Sequence, residues 1–340
     1  MSGEIRTVPV PRCLLCGQPG RVLYSALRDR LFSAEGIWSI AQCPMAKCGL
    51  LWLDPMPAPE DVHRVYASYY THVEERPRRG LLDRLFTAAK RGYVANHFGY
   101  EAGAIERLLG LLPWIYPGRR AELDFSVMWL SGDKRGRLLD VGAGSGWLVE
   151  HLCSLGWAAE GLDFDARAVE RARARGLQIH HGGLPEQKFP EASFAAVTMS
   201  HSIEHVHDPV GWLAEARRVL KPGGRLAIAT PNTRSFLHRR FREHWFPLDP
   251  PRHLYLFNRE ALGTALHKAG FKRLRLFTSV RDANGAFLGS RSIRATGRHD
   301  MTAARGGLLR LWARAIQVGE AERLFIDRDA GEDLVALAEK

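Results

Sequence analysis

The sequence predicts an α/β fold that carries a small cysteine-bearing ribbon at its N-terminus and a helical connector and cap. Three observations point there. Short apolar strands alternate with helical patterns from residue 137 onward. The first of these strands ends in Asp140, and Gly142, Gly144 and Gly146 alternate before the next helix. Ahead of both, four cysteines fall in two pairs, Cys13 with Cys16 and Cys43 with Cys48.

The chain has 340 residues, 46% hydrophobic and 25% charged. That composition excludes collagen, coiled coil and wholesale disorder. A chain of this length buries a full core without disulfides. No run of about 18 apolar residues is present, so no helix is expected to span a membrane. Residues 1–12 hold no hydrophobic signal core, and the expected compartment is the cytoplasm. Cysteines there stay reduced unless a metal holds them.

The net charge is +11, and 40 of the 48 basic residues are Arg. A basic balance points to an anionic partner: nucleic acid, membrane surface or a phosphorylated substrate. The excess is regional. Residues 136–232 hold 10 basic and 11 acidic side chains, whereas 233–314 hold 17 and five.

In chain order, the ribbon comes first, over residues 1–56. Cys13-Leu-Leu-Cys16-Gly17 and Cys43-Pro-Met-Ala-Lys-Cys48-Gly49 put thiolates on glycine-bearing turns. Such pairs present four sulfurs to a tetrahedral Zn²⁺. Trp38 to Gln42 alternates like a strand leading into Cys43. Four thiolates leave no open coordination position, so the expected role is structural. Cys153 stands apart on a predicted helix and reads as a small core residue.

A connector, 57–135, follows. Glu60–Tyr70 reads as a helix, Glu74–Gly80 as a charged break, and Leu81–Leu112 as helical. Its apolar stripe is flanked by Arg78, Arg79, Arg84, Lys90 and Arg91, a pattern that suits packing on a neighbouring domain or lying on a membrane surface. Residues 108–116 are a second apolar patch that needs a partner.

The strand–turn–helix at Arg137–Trp147 reads RLLDVGAGSGW. Its glycines let the backbone turn tightly and approach a ligand. A dinucleotide fingerprint needs a glycine where Trp147 stands, and no Gly-Lys-Ser/Thr of a phosphate loop follows.

On these residues the chain resembles the class I S-adenosylmethionine-dependent methyltransferases, whose first motif is acidic-x-Gly-x-Gly-x-Gly. The neighbouring segments extend the resemblance over about 137–280 and the C-terminus. Ala158–Asp163 looks like strand two, Ser193–Met199 like strand four, Lys221–Asn232 like a glycine turn and strand five, and Glu332–Glu339 like the last, antiparallel strand. The resemblance implies a Rossmann-like seven-stranded sheet with helices on both faces. That core spans 136–280, is interrupted by a helical cap at 281–330 and is completed by 331–340.

The resemblance also implies roles. Asp140, Gly142, Gly144 and Gly146 would form the cofactor loop. Asp163 would accept the ribose hydroxyls, while Asp165 caps the next helix. The backbone at Gly183 and Leu184 would border the adenine. His201 and His205, in the loop after strand four, would face the methyl group, His201 as a cofactor-side contact. His201, His205 and His253 are the candidate bases. His205 can equally hold the loop through its pairing with Glu204.

After strand five, Arg242, His244, Trp245, Arg252 and Tyr255 lie where the family places its substrate lid. Arg among aromatics suits a phosphate next to a ring. The His253-x-Tyr255-x-Phe257 run is similar to that of zinc-ribbon methyltransferases of sugar, polysaccharide and natural-product pathways.

The expected function is methyl transfer to a small or lipid-linked anionic acceptor, a sugar or metabolite hydroxyl. Asn/Asp-Pro-Pro-aromatic is absent after strand four, and so is a cysteine nucleophile, which weighs against nucleic acid. An RNA methyltransferase using the ribbon and Arg-rich lid, and a non-catalytic cofactor-binding scaffold, are the alternatives. Gly307–Ile316 reads as a basic amphipathic cap helix, with peripheral membrane contact as a further option.

Overall fold

The computed structural model describes residues 5–66, 81–112, 116–300 and 307–340. The charged break expected at Glu74–Gly80, the end of the Glu60–Tyr70 helix and residues 113–115 lie outside these.

The N-terminal strands are Thr7–Val8 (β1), Arg21–Leu27 (β2), Trp38–Gln42 (β3), Leu51–Leu53 (β4) and Met56–Pro57 (β5). β1 pairs antiparallel with β5, and β2, β3 and β4 form an antiparallel meander. Val62–Val65 (α1) is a single turn that continues a 3-10 turn at Pro59–Asp61.

The continuous helix expected over 81–112 is two helices, Leu81–Phe98 (α2) and Ala104–Leu109 (α3). Gly99, at φ +73°, ends the first. Glycine is also needed where the two meet. A Cβ on Gly92 would lie 1.6 Å from the Glu106 carbonyl oxygen, and one on Gly110 would lie 2.3 Å from the Gly92 backbone. Pro117–Ser126 (α4) follows, with proline at its first position, where a missing N–H costs nothing.

The α/β part begins at Arg137–Val141 (β6) and Trp147–Ser154 (α5). It continues through Ala158–Asp163 (β7), Ala166–Ala174 (α6), Ile179–His181 (β8), Phe194–Ser200 (β9), Pro209–Val219 (α7) and Leu220–Pro231 (β10). Next come Phe236–Phe241 (α8), Tyr255–Leu256 (β11), Arg259–Lys268 (α9) and Arg273–Ser279 (β12). Ala283–Thr296 (α10), Gly307–Arg323 (α11) and Asp333–Glu339 (β13) close the chain.

Seven strands form a sheet in the order β12-β13-β10-β9-β6-β7-β8. β6 pairs parallel with β7 and β9, and β7 with β8. β13 runs antiparallel to β10. Lys340 and Gly224 share one end of that ladder (3.0 Å), and Asn232 donates to Glu332 at the other (2.9 Å). This is the Rossmann-like mixed sheet that the motifs implied. The near-continuous apolar burial of β6 and β9 is what a parallel strand covered on both faces requires.

By compactness the chain divides into two units that do not follow chain order. One comprises 1–70, 201–214 and 229–336; the other comprises 71–200, 215–228 and 337–340. The first holds both small N-terminal sheets. β11 joins the meander there as a fourth strand, in the order β11-β4-β3-β2, with Tyr255 opposite Trp52 and Leu256 opposite Leu51. The ribbon strands therefore share a core with residues 255–257. The second unit holds β6 to β9 with α5 and α6, packed through Leu138, Leu139, Val149, Leu152, Leu162 and Val197.

One expectation is corrected here. Cys153 is exposed, not core. The buried face of α5 is Leu148, Val149 and Leu152, and Cys153 falls outside that stripe.

Candidate active site

Three constellations carry chemistry. The first is the glycine loop between β6 and α5. Gly142, Gly144 and Gly146 have φ of +82°, +52° and +76°, a region that L side chains rarely adopt. A Cβ on Gly146 would strike Leu177 at 2.6 Å, whereas one on Gly144 would meet nothing within 4 Å. Gly146 is therefore demanded by packing. Gly144 presents bare backbone to open space.

Asp163, at the end of β7, accepts the Gly144 N–H at 2.7 Å and the Asp165 N–H at 2.8 Å. Asp165 caps α6 through the Arg167 N–H, as expected. Asp140 is buried and accepts the Thr198 hydroxyl at 2.7 Å. Burial raises its pKa, the Thr198 bond pulls it back and the Asp163 charge adds to the rise, leaving it at about 7. Leu184 is fully buried and precedes a 3-10 turn at Pro185–Gln187. A cofactor with an amino-acid end, a ribose and no phosphate fits this donor set.

The second constellation surrounds the loop after β9. His201 sits at φ +48°, and its N–H donates to the Ala229 carbonyl. Carboxylates flank its ring: Glu204 at 3.5 Å, Asp282 at 3.4 Å and Asp333 at 3.7 Å. Burial alone would lower its pKa. The Glu204 contact and the charges of Asp333 and Asp282 outweigh burial and lift it to about 9. Burial works upward on Glu204, but His201 and the neighbouring imidazoles hold it at about 2. His201 is thus drawn toward its protonated form by carboxylates, one of them fully buried.

His205 and His253 behave oppositely. Their rings stand 4.7 Å apart, edge to face. Burial, the largest effect on each, pushes both down to about 4, so both are neutral at pH 7. His253 Nδ1 lies 2.7 Å from the Pro247 carbonyl oxygen, and His205 Nδ1 lies 3.0 Å from that of Arg252. A carbonyl only accepts, so Nδ1 is the N–H in each ring, and Nε2 carries the lone pair. Tyr66 Oη also lies 2.9 Å from His205 Nδ1.

Asp282, Asp333 and Arg281, which contacts His201 at 3.2 Å, escaped the sequence reading. They come from the start of α10 and of β13, far along the chain. The only local signal is a charged residue opening an otherwise apolar strand at Asp333.

The lid residues separate into two groups. Arg242 is exposed and His244 half-buried. Trp245, Arg252 and Tyr255 are buried and each is committed to a partner within the protein, which corrects the expectation that they touch an acceptor. Trp245 donates its indole N–H to Glu332. Tyr255 is committed to the four-stranded sheet. Arg252 bonds Asp29 through two nitrogens at 2.8 Å each, and also bonds Asp249. Its donors are thereby consumed inside the protein.

The third constellation is the cysteine cluster. All four sulfurs lie within 4.8 Å of one another, with Cys13–Cys48 at 3.6 Å and Cys16–Cys43 at 3.4 Å. A tetrahedron with metal–sulfur bonds of about 2.3 Å has edges of about 3.8 Å. The donor set fits a tetrahedral soft-metal site.

Comparison with known proteins follows from this geometry. A family model described as a methyltransferase domain matches residues 118–276. A probable S-adenosylmethionine-dependent methyltransferase of Mycolicibacterium smegmatis is 33% identical over 201 residues, 58% of this chain and 68% of that one. A ubiquinone biosynthesis O-methyltransferase of Alkalilimnicola ehrlichii is 32% identical over 117 residues, 32% of this chain and 47% of that one. The chain thus spans about two thirds of the first relative and under half of the second. A solved structure of an S-adenosylmethionine-dependent methyltransferase from Archaeoglobus fulgidus superposes with a TM-score of 0.45 at 18% identity, covering 66% of this chain and 92% of that one.

Proposed function

Because the chain belongs to the family of S-adenosylmethionine-dependent methyltransferases, we propose that it transfers a methyl group to a hydroxyl of a small or lipid-linked anionic acceptor, of the sugar or metabolite class. When bound, the cofactor supplies an electrophilic methyl carbon on a sulfonium. Asp163 and the Gly142–Gly146 backbone would hold its ribose and amino-acid ends, with Leu184 beside the adenine.

The observation that carries the reading is His253. Its Nδ1–H is fixed on the Pro247 carbonyl, and its imidazole is neutral at pH 7. In this reading Nε2, which carries the lone pair, takes the proton of an acceptor hydroxyl as its oxygen attacks. A positioned base of this kind contributes about 10²–10⁴-fold. His205, whose Nδ1 is shared between Arg252 and Tyr66, is read as the residue that orients it. His201, drawn toward its protonated form by carboxylates, is unsuited to the base role and is read as a contact for the acceptor's or cofactor's negative charge. That the ubiquinone biosynthesis relatives are by name O-methyltransferases supports a hydroxyl acceptor.

The four cysteines are read as ligands of a structural zinc ion that holds the ribbon. One equivalent released by a mercurial is the expected outcome; well below one per chain would remove the reading.

The function is tested with methyl-labelled cofactor and the full chain against nucleotide sugars, lipid extracts and RNA. Transfer to a hydroxyl-bearing acceptor is expected, and His253→Gln should lower turnover by about 10²-fold or more with cofactor binding unchanged. Label appearing in RNA alone, or a His253→Gln protein of normal turnover, would refute it.

A further inference from the structure

We propose that the outward face of α11, with the turn that follows it, docks on an anionic membrane surface. The helix is built inside out. Its buried residues include Gln317 and Glu320 alongside Ala313. Gln317 donates to the Val280 carbonyl at 2.7 Å and accepts from Asn284 at 2.9 Å, and Glu320 accepts the Glu332 N–H at 2.8 Å. Two polar side chains of α11, Gln317 and Glu320, thus face inward and find partners, while Arg310, Arg314, Glu322 and Arg323 are exposed.

The apolar ones face out. Leu308, Leu311 and Trp312 are 72%, 60% and 60% exposed. Their i, i+3, i+4 spacing puts them on one strip, opposite the buried face. Past the end of α11, the Phe325 and Ile326 N–H groups donate to Glu322 and Arg323, continuing the turn. These two side chains are 91% and 93% exposed. Three large apolar groups within five residues of α11, with two more past its end, exceed the scattered exposure that soluble surfaces normally show.

Charge selects the occupant. Arg314 borders the strip on α11, Arg310 is exposed elsewhere on the same helix, and Arg291, Arg294, Arg298 and Arg328 are exposed on and beyond α10 and α11. Among the described residues, Arg291, Arg298, Arg314 and Arg328 form no ion pair. Leu and Trp rimmed by Arg is the pattern of an interfacial helix. The indole sits at headgroup depth, and each cation near an anionic surface strengthens binding by about fivefold. A second copy suits the strip less well, because the same cationic rim would face it across a two-fold contact.

The test is flotation of the full chain with vesicles of phosphatidylglycerol and phosphatidylcholine, and with phosphatidylcholine alone. Two variants are compared with the wild type: Leu311→Glu with Trp312→Glu, and Arg310→Glu with Arg314→Glu. All four side chains are exposed, so unchanged unfolding midpoints are expected in both. The wild type should float with the anionic vesicles and be released by high salt, and each double variant should lose about tenfold or more in affinity. Three results would overturn the proposal: no flotation at low salt, equal flotation of wild type and variants, or a wild-type dimer that Leu311→Glu with Trp312→Glu dissolves, which would assign the strip to a second copy.

Discussion

Replacing Arg252 by Met tests the buried ionic knot most directly. The Arg252 and Asp29 side chains are fully buried, and that of Asp249 is 10% exposed. Asp29 also accepts the N–H groups of Leu31, Phe32 and Ala34, so it cannot swing away when its partner is lost. Methionine keeps the aliphatic stem and removes five donors. Two carboxylates then face each other in a desolvated site without a cation. Breaking a buried pair from one side costs about 3–5 kcal/mol, against about 0–1 kcal/mol for a surface pair. The assay is urea unfolding at pH 7 by tryptophan fluorescence. Asp29 offers a second reading of the same experiment. Burial pushes its pKa up, but the Arg252 pairing overrides this and holds it below the usual carboxylate range. In the wild type its contribution is present above that range and lost as pH falls through the folded value. In Arg252→Met the override is gone, so the penalty should shrink on acidification. Changing Asp249 to Asn in the same chain should restore part of the loss. A cost under about 1 kcal/mol, or one that ignores pH and Asp249→Asn, would refute the reasoning.

Four further outcomes are expected. Asp163→Ala removes the acceptor of the Gly144 and Asp165 N–H groups, and calorimetry should show cofactor affinity reduced by about tenfold or more. Stability should fall on both sides of a maximum near pH 6.5. The His201 contribution is complete below its ordinary value and lost as pH rises through about 9, while those of His205 and His253 are complete above it and lost as pH falls through about 4. His201→Gln should therefore flatten the alkaline side alone in pH-resolved thermal melts. Trp245→Phe deprives buried Glu332 of its indole donor and should cost about 1–3 kcal/mol in urea unfolding. Cys48→Ser should abolish stoichiometric zinc and lower the melting temperature, whereas Cys153→Ser, on an exposed face, should change neither.

Much of the α/β part could be read from sequence because its determinants are local. The glycine alternation after Asp140 requires left-handed backbone wherever it occurs, and the apolar runs of β6, β7 and β9 announce a sheet covered on both sides. The Asp165 cap and the cysteine pairs are equally short-range. The misread residues were those whose partners lie far along the chain. Arg252 looked like a lid cation because Asp29 stands 223 residues away. Tyr255 looked like an acceptor contact because nothing near it shows that its strand completes a sheet begun at Arg21. For His201, read as a cofactor-side contact or a base, nothing local shows that Asp282 and Asp333 arrive from two other elements. Charge and aromaticity mark a residue as consequential, but without the fold they do not show whether its partner is a ligand or the protein itself.

The strand at Tyr255–Leu256 and the Asp29–Arg252 bonds limit how this chain can be cut and recombined. Residues 1–56 cannot be exchanged among relatives as a self-contained cassette. A chimera that keeps the host's 249–256 would carry a mismatched edge strand and a stranded guanidinium. Grafting succeeds only if both stretches travel together. A truncated protein beginning at the glycine loop should accordingly be insoluble rather than a minimal enzyme. Inheritance of the ribbon and of the segment after β10 is thereby tied together, although nearly 200 residues separate them.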